Sequence, residues 1–235
     1  MEEDNGLKLK GGWKKWVKWG AISIIVVLFV GFFVRLVVWE DAYYREKEGS
    51  ERATTTTETV AREELVEEEP TEEEVQEYIV APDRPRYLTI DALGIYDARI
   101  LPVGINSEGQ LGTPRNIFDV GWYESSGLPG EGKTAVIDGH NGGPHVRGVF
   151  KDLPDLEVGA VIEIERGDGV VFLYRVTETA TVSLDDSDAY MATAMRSPES
   201  GKESVTLISC TGDWSSERST YLSRQFVRAV LTGQR

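Results

Sequence analysis

The stretch Ile162-Glu163-Ile164-Glu165-Arg166-Gly167-Asp168-Gly169-Val170-Val171-Phe172-Leu173-Tyr174-Arg175-Val176 decides how the chain folds. Its first half alternates apolar and charged residues with a period of two, the pattern of a strand with one face in a core and the other in water. Gly167-Asp168-Gly169 supplies turn chemistry, and a β-branched and aromatic run follows, so the segment reads as a β-hairpin. The same texture extends in both directions. From Tyr87 onward, short β-branched runs are separated by Gly, Pro, Asn and Asp, giving further candidate strands at 87–90, 98–103, 120–122, 134–138, 179–184, 205–210 and 225–231. So many strands in about 150 residues predict a mainly β domain, a barrel or a sandwich, over residues 84–235. Helical segments are few and short: one turn is expected over 149–154 and another over 189–195. No internal repeat and no phosphate-loop spacing interrupts this pattern.

Upstream of Tyr87 the composition changes twice. Lys8, Lys10, Lys14, Lys15 and Lys18 precede an uncharged run from Trp19 to Val34, and the apolar stretch over 19–39 holds one charge, Arg35. About 20 apolar residues suffice to cross a bilayer as a helix, and Arg35 lies close enough to the far edge to reach the headgroups. Trp13, Trp16 and Trp19 on one side and Trp39, Tyr43 and Tyr44 on the other form interfacial belts. A cleaved signal peptide shares the basic start and the apolar run, but Trp39-Glu40-Asp41-Ala42-Tyr43 lacks the small residues of a cleavage site. The excess of lysine before the span puts residues 1–18 in the cytoplasm and everything after Glu40 outside, a single-pass membrane protein. Residues 40–83 carry sixteen acidic and four basic side chains, most of the chain's net charge of −15. Runs such as Glu67-Glu68-Glu69 and Glu72-Glu73-Glu74 have little to bury, so this part reads as a flexible, self-repelling spacer. Residues 84–235 are themselves mildly acidic, and nothing in them suggests nucleic-acid binding.

Cys210 is the only cysteine of the 235 residues and ends the strand Val205-Thr206-Leu207-Ile208-Ser209-Cys210. Without a second cysteine it is a reactive group, an intermolecular partner or a small buried hydrophobe. An extracytoplasmic cysteine nucleophile needs a base or cation beside it. His140 follows Thr134-Ala135-Val136-Ile137-Asp138-Gly139 at the mouth of a strand, whereas His145 sits in a loop after Gly142-Gly143-Pro144. Arg224 opens the strand Gln225-Phe226-Val227-Arg228-Ala229-Val230-Leu231, whereas Arg218 follows the loop Gly212 to Glu217. His140 and Arg224 are the better held of each pair.

Taken together, Thr206-Leu207-Ile208-Ser209-Cys210, Gly139-His140, Phe150-Lys151-Asp152-Leu153 and Arg224 resemble the sortases, the membrane-anchored cysteine transpeptidases of bacterial cell envelopes. The order and spacing of His, Cys and Arg make the set specific, and Leu93-Gly94-Ile95, Gly121-Trp122-Tyr123 and Leu128-Pro129-Gly130-Glu131 are most similar to class E and F types. The resemblance implies an eight-stranded β-barrel and a reaction in which Cys210 attacks the Thr–Gly bond of an LPxTG-like sorting signal. His140 would act as acid and base, and Arg224 as oxyanion or backbone donor. The implied partners are secreted proteins bearing a C-terminal sorting signal and an amine acceptor, of a peptidoglycan precursor or a pilin, with the lipid bilayer engaged through residues 19–39. Thr206 and Ser209, the latter where the family usually has threonine, are implied at the substrate-binding wall, and Asn141-Gly142-Gly143-Pro144-His145 is an unusual continuation after Gly-His. A cysteine peptidase using the same residues and a catalytically silent envelope-peptide-binding domain are the competing readings. No cofactor is expected, although Asp185, Asp186 and Asp188 offer the hard oxygens that calcium takes.

Overall fold

The computed structural model describes residues 65–106, 109–143 and 145–235. Its eight strands are β1 Pro85–Ile90, β2 Ile95–Val103, β3 Val120–Tyr123, β4 Thr134–Gly139, β5 Val161–Arg166, β6 Val171–Ser183, β7 Ser204–Ser215 and β8 Thr220–Gln234. They close into a barrel in the order β1-β2-β3-β4-β7-β8-β6-β5, with β5 hydrogen-bonded back to β1. Closure leaves no strand edge open, which is how an isolated sheet of this size avoids pairing with another chain. Two neighbouring pairs, β2 with β3 and β4 with β7, run parallel and the others antiparallel. A parallel pair needs a long crossover. The crossover between β4 and β7 consists of the β5–β6 hairpin and a helix.

The hairpin forms as the sequence predicts, with Ile162 opposite Tyr174 and Ile164 opposite Phe172. The second arm of the expected hairpin and the strand expected over 179–184 are one, β6. Its register against β8 shifts between Val176 and Glu178. A bulge at that point bends the strand while keeping its partner, so the break in apolar pattern marks curvature and not a turn. Helix α1, Glu72–Gln76, starts with a capping box in which Thr71 and Glu74 each satisfy the other's backbone N–H. Helix α2, Leu184–Ala194, is longer than the single turn expected near 189–195 because Ser183 caps it and accepts from the Asp186 N–H. Asp185 and Asp186 lie in its first turn, where carboxylates favour the helix dipole. Among the described residues no cluster of metal-ligating side chains occurs.

Residues 65–83, expected as the end of a solvated spacer, pack on the barrel instead. Val66 bridges to Asn116, the Tyr78 hydroxyl donates to Ile100 O at 2.6 Å, and Arg86 holds the carbonyls of Tyr78 and Gln76. The few apolar residues among the acids, Val66 and Tyr78, make these contacts, while the carboxylates stay at the surface. The span expected over 19–39 and the spacer up to residue 64 lie outside the described residues. Among the described ones, no helix is long and apolar enough to cross a membrane.

The barrel interior is filled by Leu88, Ile100, Trp122, Ile137, Phe150, Ile162, Ile164, Phe172, Tyr174, Leu207 and Val227, among others. A second apolar cluster, Val136, Ala194, Ile208 and Phe226, lies on the outer face of β4, β7 and β8, with Tyr190 and Met191 of α2 packed on it. Glu203 is one of the buried charged residues. It accepts from Gly130 N at 2.8 Å, Gly132 N at 2.7 Å and the Tyr174 hydroxyl at 2.7 Å. Burial and the neighbouring carboxylate push proton loss from Tyr174 far up, so its hydroxyl remains a donor. In Glu203→Gln an amide N–H would face a donor, leaving buried groups unpaired. The expected cost is about 2–3 kcal/mol in urea unfolding, with the β-rich circular dichroism spectrum retained.

Candidate active site

Side-chain alternation decides which residues share the outer face of the β4-β7-β8 sheet. On β4, Ala135 and Ile137 belong to the interior core and Val136 to the outer cluster, so Asp138 and His140 continue the outer row. On β7, Val205 and Leu207 point inward and Ile208 outward, which places Cys210 outside. On β8, Val227 and Ala229 are interior and Phe226 outer, which places Arg224 outside. Cys210 and Arg224 are direct partners in the β7–β8 ladder. Side chains so paired stand about 5 Å apart at Cβ. Asp138 pairs with Ile208 across the parallel β4–β7 ladder, and two residues further along each strand lie His140 and Cys210. Three separate segments thus deliver a thiol, an imidazole and a guanidinium to one patch.

The position of His140 depends on close packing beneath it. A Cβ on Gly139 would meet Cδ2 of Phe150 at 2.5 Å. Phe150 N donates to His140 O at 2.9 Å, and both Phe150 and Leu153 are buried in the core. The Gly-His and Phe-x-x-Leu motifs are therefore two sides of one contact. The imidazole Nε2 lies 2.8 Å from Pro114 O. A carbonyl only accepts, so Nε2 carries the proton and Nδ1 is left for proton transfer. Pro114 sits in the connection between β2 and β3, whose Thr113 donates to Asp138 Oδ2 at 2.6 Å. Residues 65–68 flank this connection: Val66 N donates to Arg115 O at 2.9 Å and Val66 O accepts from Ile117 N at 3.0 Å, while Glu67 accepts from His145 N at 3.0 Å. His145 thus contributes its backbone to the edge of the site.

The Arg224 guanidinium is held by the carbonyls of Tyr221 and Ser223, each at 3.0 Å, and by the Thr220 hydroxyl at 3.3 Å. Arg218 is exposed and pairs with Asp185 at 2.6 Å. Burial pushes the Cys210 thiol above its ordinary pKa, Arg224 pulls it down, and Asp138 pushes it up. The resting sulfur is a thiol, with thiolate as a minor form. Asn141, from the continuation that looked unusual in sequence, is buried and donates to Cys210 O at 2.9 Å, while Lys151 Nζ donates to Asn141 Oδ1 at 3.2 Å. It ties the loop after His140 to the backbone of the nucleophile.

Thr206 and Ser209, implied at the substrate-binding wall, have no accessible surface. Thr206 Oγ1 donates to Ala194 O at 2.7 Å and fixes the end of α2, and Ser209 Oγ donates to Gly139 O at 2.9 Å between β7 and β4. Both hydroxyls hold the scaffold, because the alternation that exposes Cys210 turns Ser209 away and α2 covers Thr206. Asp138, Thr113 and Pro114 went unnoticed in the sequence, and Asn141 was noticed only as part of an unusual continuation. Of the first three, Asp138 carried a signal, a carboxylate in an otherwise apolar strand. A cleft of about 200 Å³ lined by Val80, Arg84, Ile100, Pro102 and Trp122 includes none of these residues.

The sortase domain model matches residues 88–232, well over half of the chain, and includes His140, Cys210 and Arg224. The chain belongs to the sortase family. Sortases are cysteine transpeptidases, and the patch above holds the only cysteine of this chain. Solved structures similar to this chain include the Clostridium perfringens sortase D5 transpeptidase, at 24% identity over 70% of this chain and 90% of that one with a TM-score of 0.45. Streptococcus pneumoniae sortase C is 21% identical over 73% of this chain and 80% of that one, with a TM-score of 0.48. The SrtA sortase of Actinomyces oris is 17% identical over 66% and 84%, with a TM-score of 0.48. None of the curated proteins matches the chain.

Two outcomes follow from this sortase's geometry. Gly139→Ala forces Phe150 aside, so stability falls by about 1–3 kcal/mol in urea unfolding and His140 loses its seat. Arg224→Gln removes the cation that lowers the Cys210 pKa. Iodoacetamide alkylation at pH 7.5 then slows about 2- to 4-fold, the net of less thiolate and higher intrinsic nucleophilicity.

Proposed function

We propose that this sortase is a membrane-tethered transpeptidase that cleaves an LPxTG-like sorting signal between Thr and Gly. The observation that carries the reading is the convergence of Cys210 and Arg224, ladder partners, with His140 at the end of the adjoining parallel strand. The thiol of Cys210 loses its proton to Nδ1 of His140, the resulting thiolate attacks the threonine carbonyl, and the guanidinium of Arg224, fixed by two backbone carbonyls, donates to the oxyanion. The C–N bond breaks as His140 gives its proton to the leaving glycine amine, and a thioester remains. An amine of a peptidoglycan precursor or a pilin then loses a proton to His140, attacks the thioester and releases the thiolate. Proton, acyl group and charge all return to their starting state.

Within the family the reading is of a class E or F type, on Leu93-Gly94-Ile95, Gly121-Trp122-Tyr123 and Leu128-Pro129-Gly130-Glu131. Residues 19–39 are the anchor, residues 1–18 cytoplasmic, and the catalytic domain from about residue 84 lies outside the membrane, spaced from it by the acidic segment. Tethering brings enzyme, exported substrate and acceptor to one surface, which raises their effective concentration.

The test is a fluorogenic LPxTG-type peptide library with amine acceptors, given to the full chain in detergent and to its Cys210→Ala variant. The expected result is Cys210-dependent transfer to amine, with a Cys210 acyl adduct seen by mass spectrometry and a loss of at least about 10³-fold in the variant. Cleavage to free acid even at saturating amine would make the protein a peptidase. Binding without any adduct would make it a silent receptor for envelope peptides.

A further inference from the structure

Asp138 is the charged side chain of the patch to which the reaction above gives no task. It stands two residues before His140 on the same face of β4, about 7 Å along the strand. Across the ladders its partners are Ile208 on β7 and Gly121 on β3, so neither neighbouring strand places a charge opposite it. A Cβ on Gly121 would meet Val103 Cγ1 at 2.9 Å and Pro114 Cδ at 3.0 Å, which keeps the Thr113-Pro114 segment close over β3. From that segment the Thr113 hydroxyl donates to Oδ2 at 2.6 Å. The titratable and charged groups that act on Asp138 are His140 on its own strand and Arg224 on β8, and Asp138 in turn acts on Cys210 of β7.

Aspartate is a poor strand former, and even a half-buried carboxylate such as that of Asp138 costs free energy that an apolar residue would not. Burial is the largest influence on this carboxyl and raises its pKa to about 6, against the opposing effects of Thr113, His140 and Arg224. A strand residue that is unfavourable in both respects, clipped by the same connection that holds the imidazole, has its use in the site.

We propose that Asp138 is a positioning residue of this sortase, whose carboxylate holds the free enzyme's Cys210 in its protonated form. An anion two residues back on the adjoining parallel strand disfavours the thiolate. It thereby keeps Cys210 out of reach of adventitious alkylation and oxidation. The use of that thiol as a nucleophile rests on the transpeptidase reading; the electrostatic coupling does not.

Because Cys210 is the only cysteine in the 235 residues, iodoacetamide reports on it alone. The full chain in detergent is compared with Asp138→Asn, which keeps an acceptor for Thr113 and removes the charge. Between pH 7 and 8.5 the variant is expected to alkylate about 2- to 7-fold faster, because the anion that disfavours the Cys210 thiolate is gone. Below about pH 5 the two proteins converge, since Asp138 is then protonated in the wild type. In the variant the limb of the kcat/KM profile set by Cys210 moves toward acid. Asp138→Glu restores the wild-type behaviour in part. Asp138→Ala removes the same charge and is read in place of the amide should the latter not fold. Alkylation profiles that agree within about 0.2 pH units between wild type and variant overturn the proposal, because a purely structural role lowers rates without moving them. Alkylation works without peptide, so failure to find transfer activity would leave this result standing, and a null result here would leave the transfer assay standing.

Discussion

The site depends on the position of β7 between a parallel partner, β4, and an antiparallel one, β8. Cys210 pairs directly with Arg224 through one ladder, and the Asp138–Ile208 pair of the other brings His140 up beside it. Ladder hydrogen bonds fix strand register to a single residue, and a slip of one would turn the thiol into the barrel interior. The distances among the reacting groups are thus set by the backbone, which is stiffer than any arrangement of loops. The barrel core, the bulge in β6 and the clip of Glu203 on Gly130 and Gly132 all serve to keep that register.

The electrostatics of the patch oppose each other. Burial and Asp138 raise the Cys210 pKa and Arg224 lowers it, so the free protein stores its nucleophile in the protonated state. Arg224 offers its charge to the sulfur while its N–H groups are bound to Tyr221 O, Ser223 O and Thr220. His140 is similarly engaged with Pro114 O. Arg224 and His140 are each held by backbone carbonyls or a hydroxyl, and the connection carrying Thr113 and Pro114 is in turn flanked by residues 65–68. Imidazole orientation and residues 65–68 thereby meet in one place.

Much of the barrel was legible in sequence because its strands are amphipathic with a period of two. The β5–β6 hairpin, with Gly167-Asp168-Gly169 between alternating runs, is local information. Bulges are not: Thr177-Glu178-Thr179 looked like an interruption of β6 because its bend is imposed by β8. Helix α2 was underestimated, since its capping residue Ser183 belongs to the preceding strand and its low apolar content gave little periodicity. The acidic segment read as pure spacer, yet Val66 and Tyr78 suffice to pin its last part to the barrel, since contacts to backbone carbonyls and N–H groups need few apolar residues.

By itself the sequence determined the residue types and their order: a lone thiol at a strand end, a Gly-His after an apolar strand, an arginine opening the last strand, and the alternation that sends each to the same side of its strand. Those are local properties, fixed by side-chain chemistry and the two-residue period. Which strands become neighbours is non-local, and only the closed barrel decided it. That closure turned Ser209 and Thr206 from wall residues into scaffold, paired Gly139 with Phe150, placed Asn141 under Cys210, and brought Asp138 and Thr113 to the nucleophile. None of these contacts is encoded within a few residues of the groups it joins, because each depends on strands that meet only when the sheet closes.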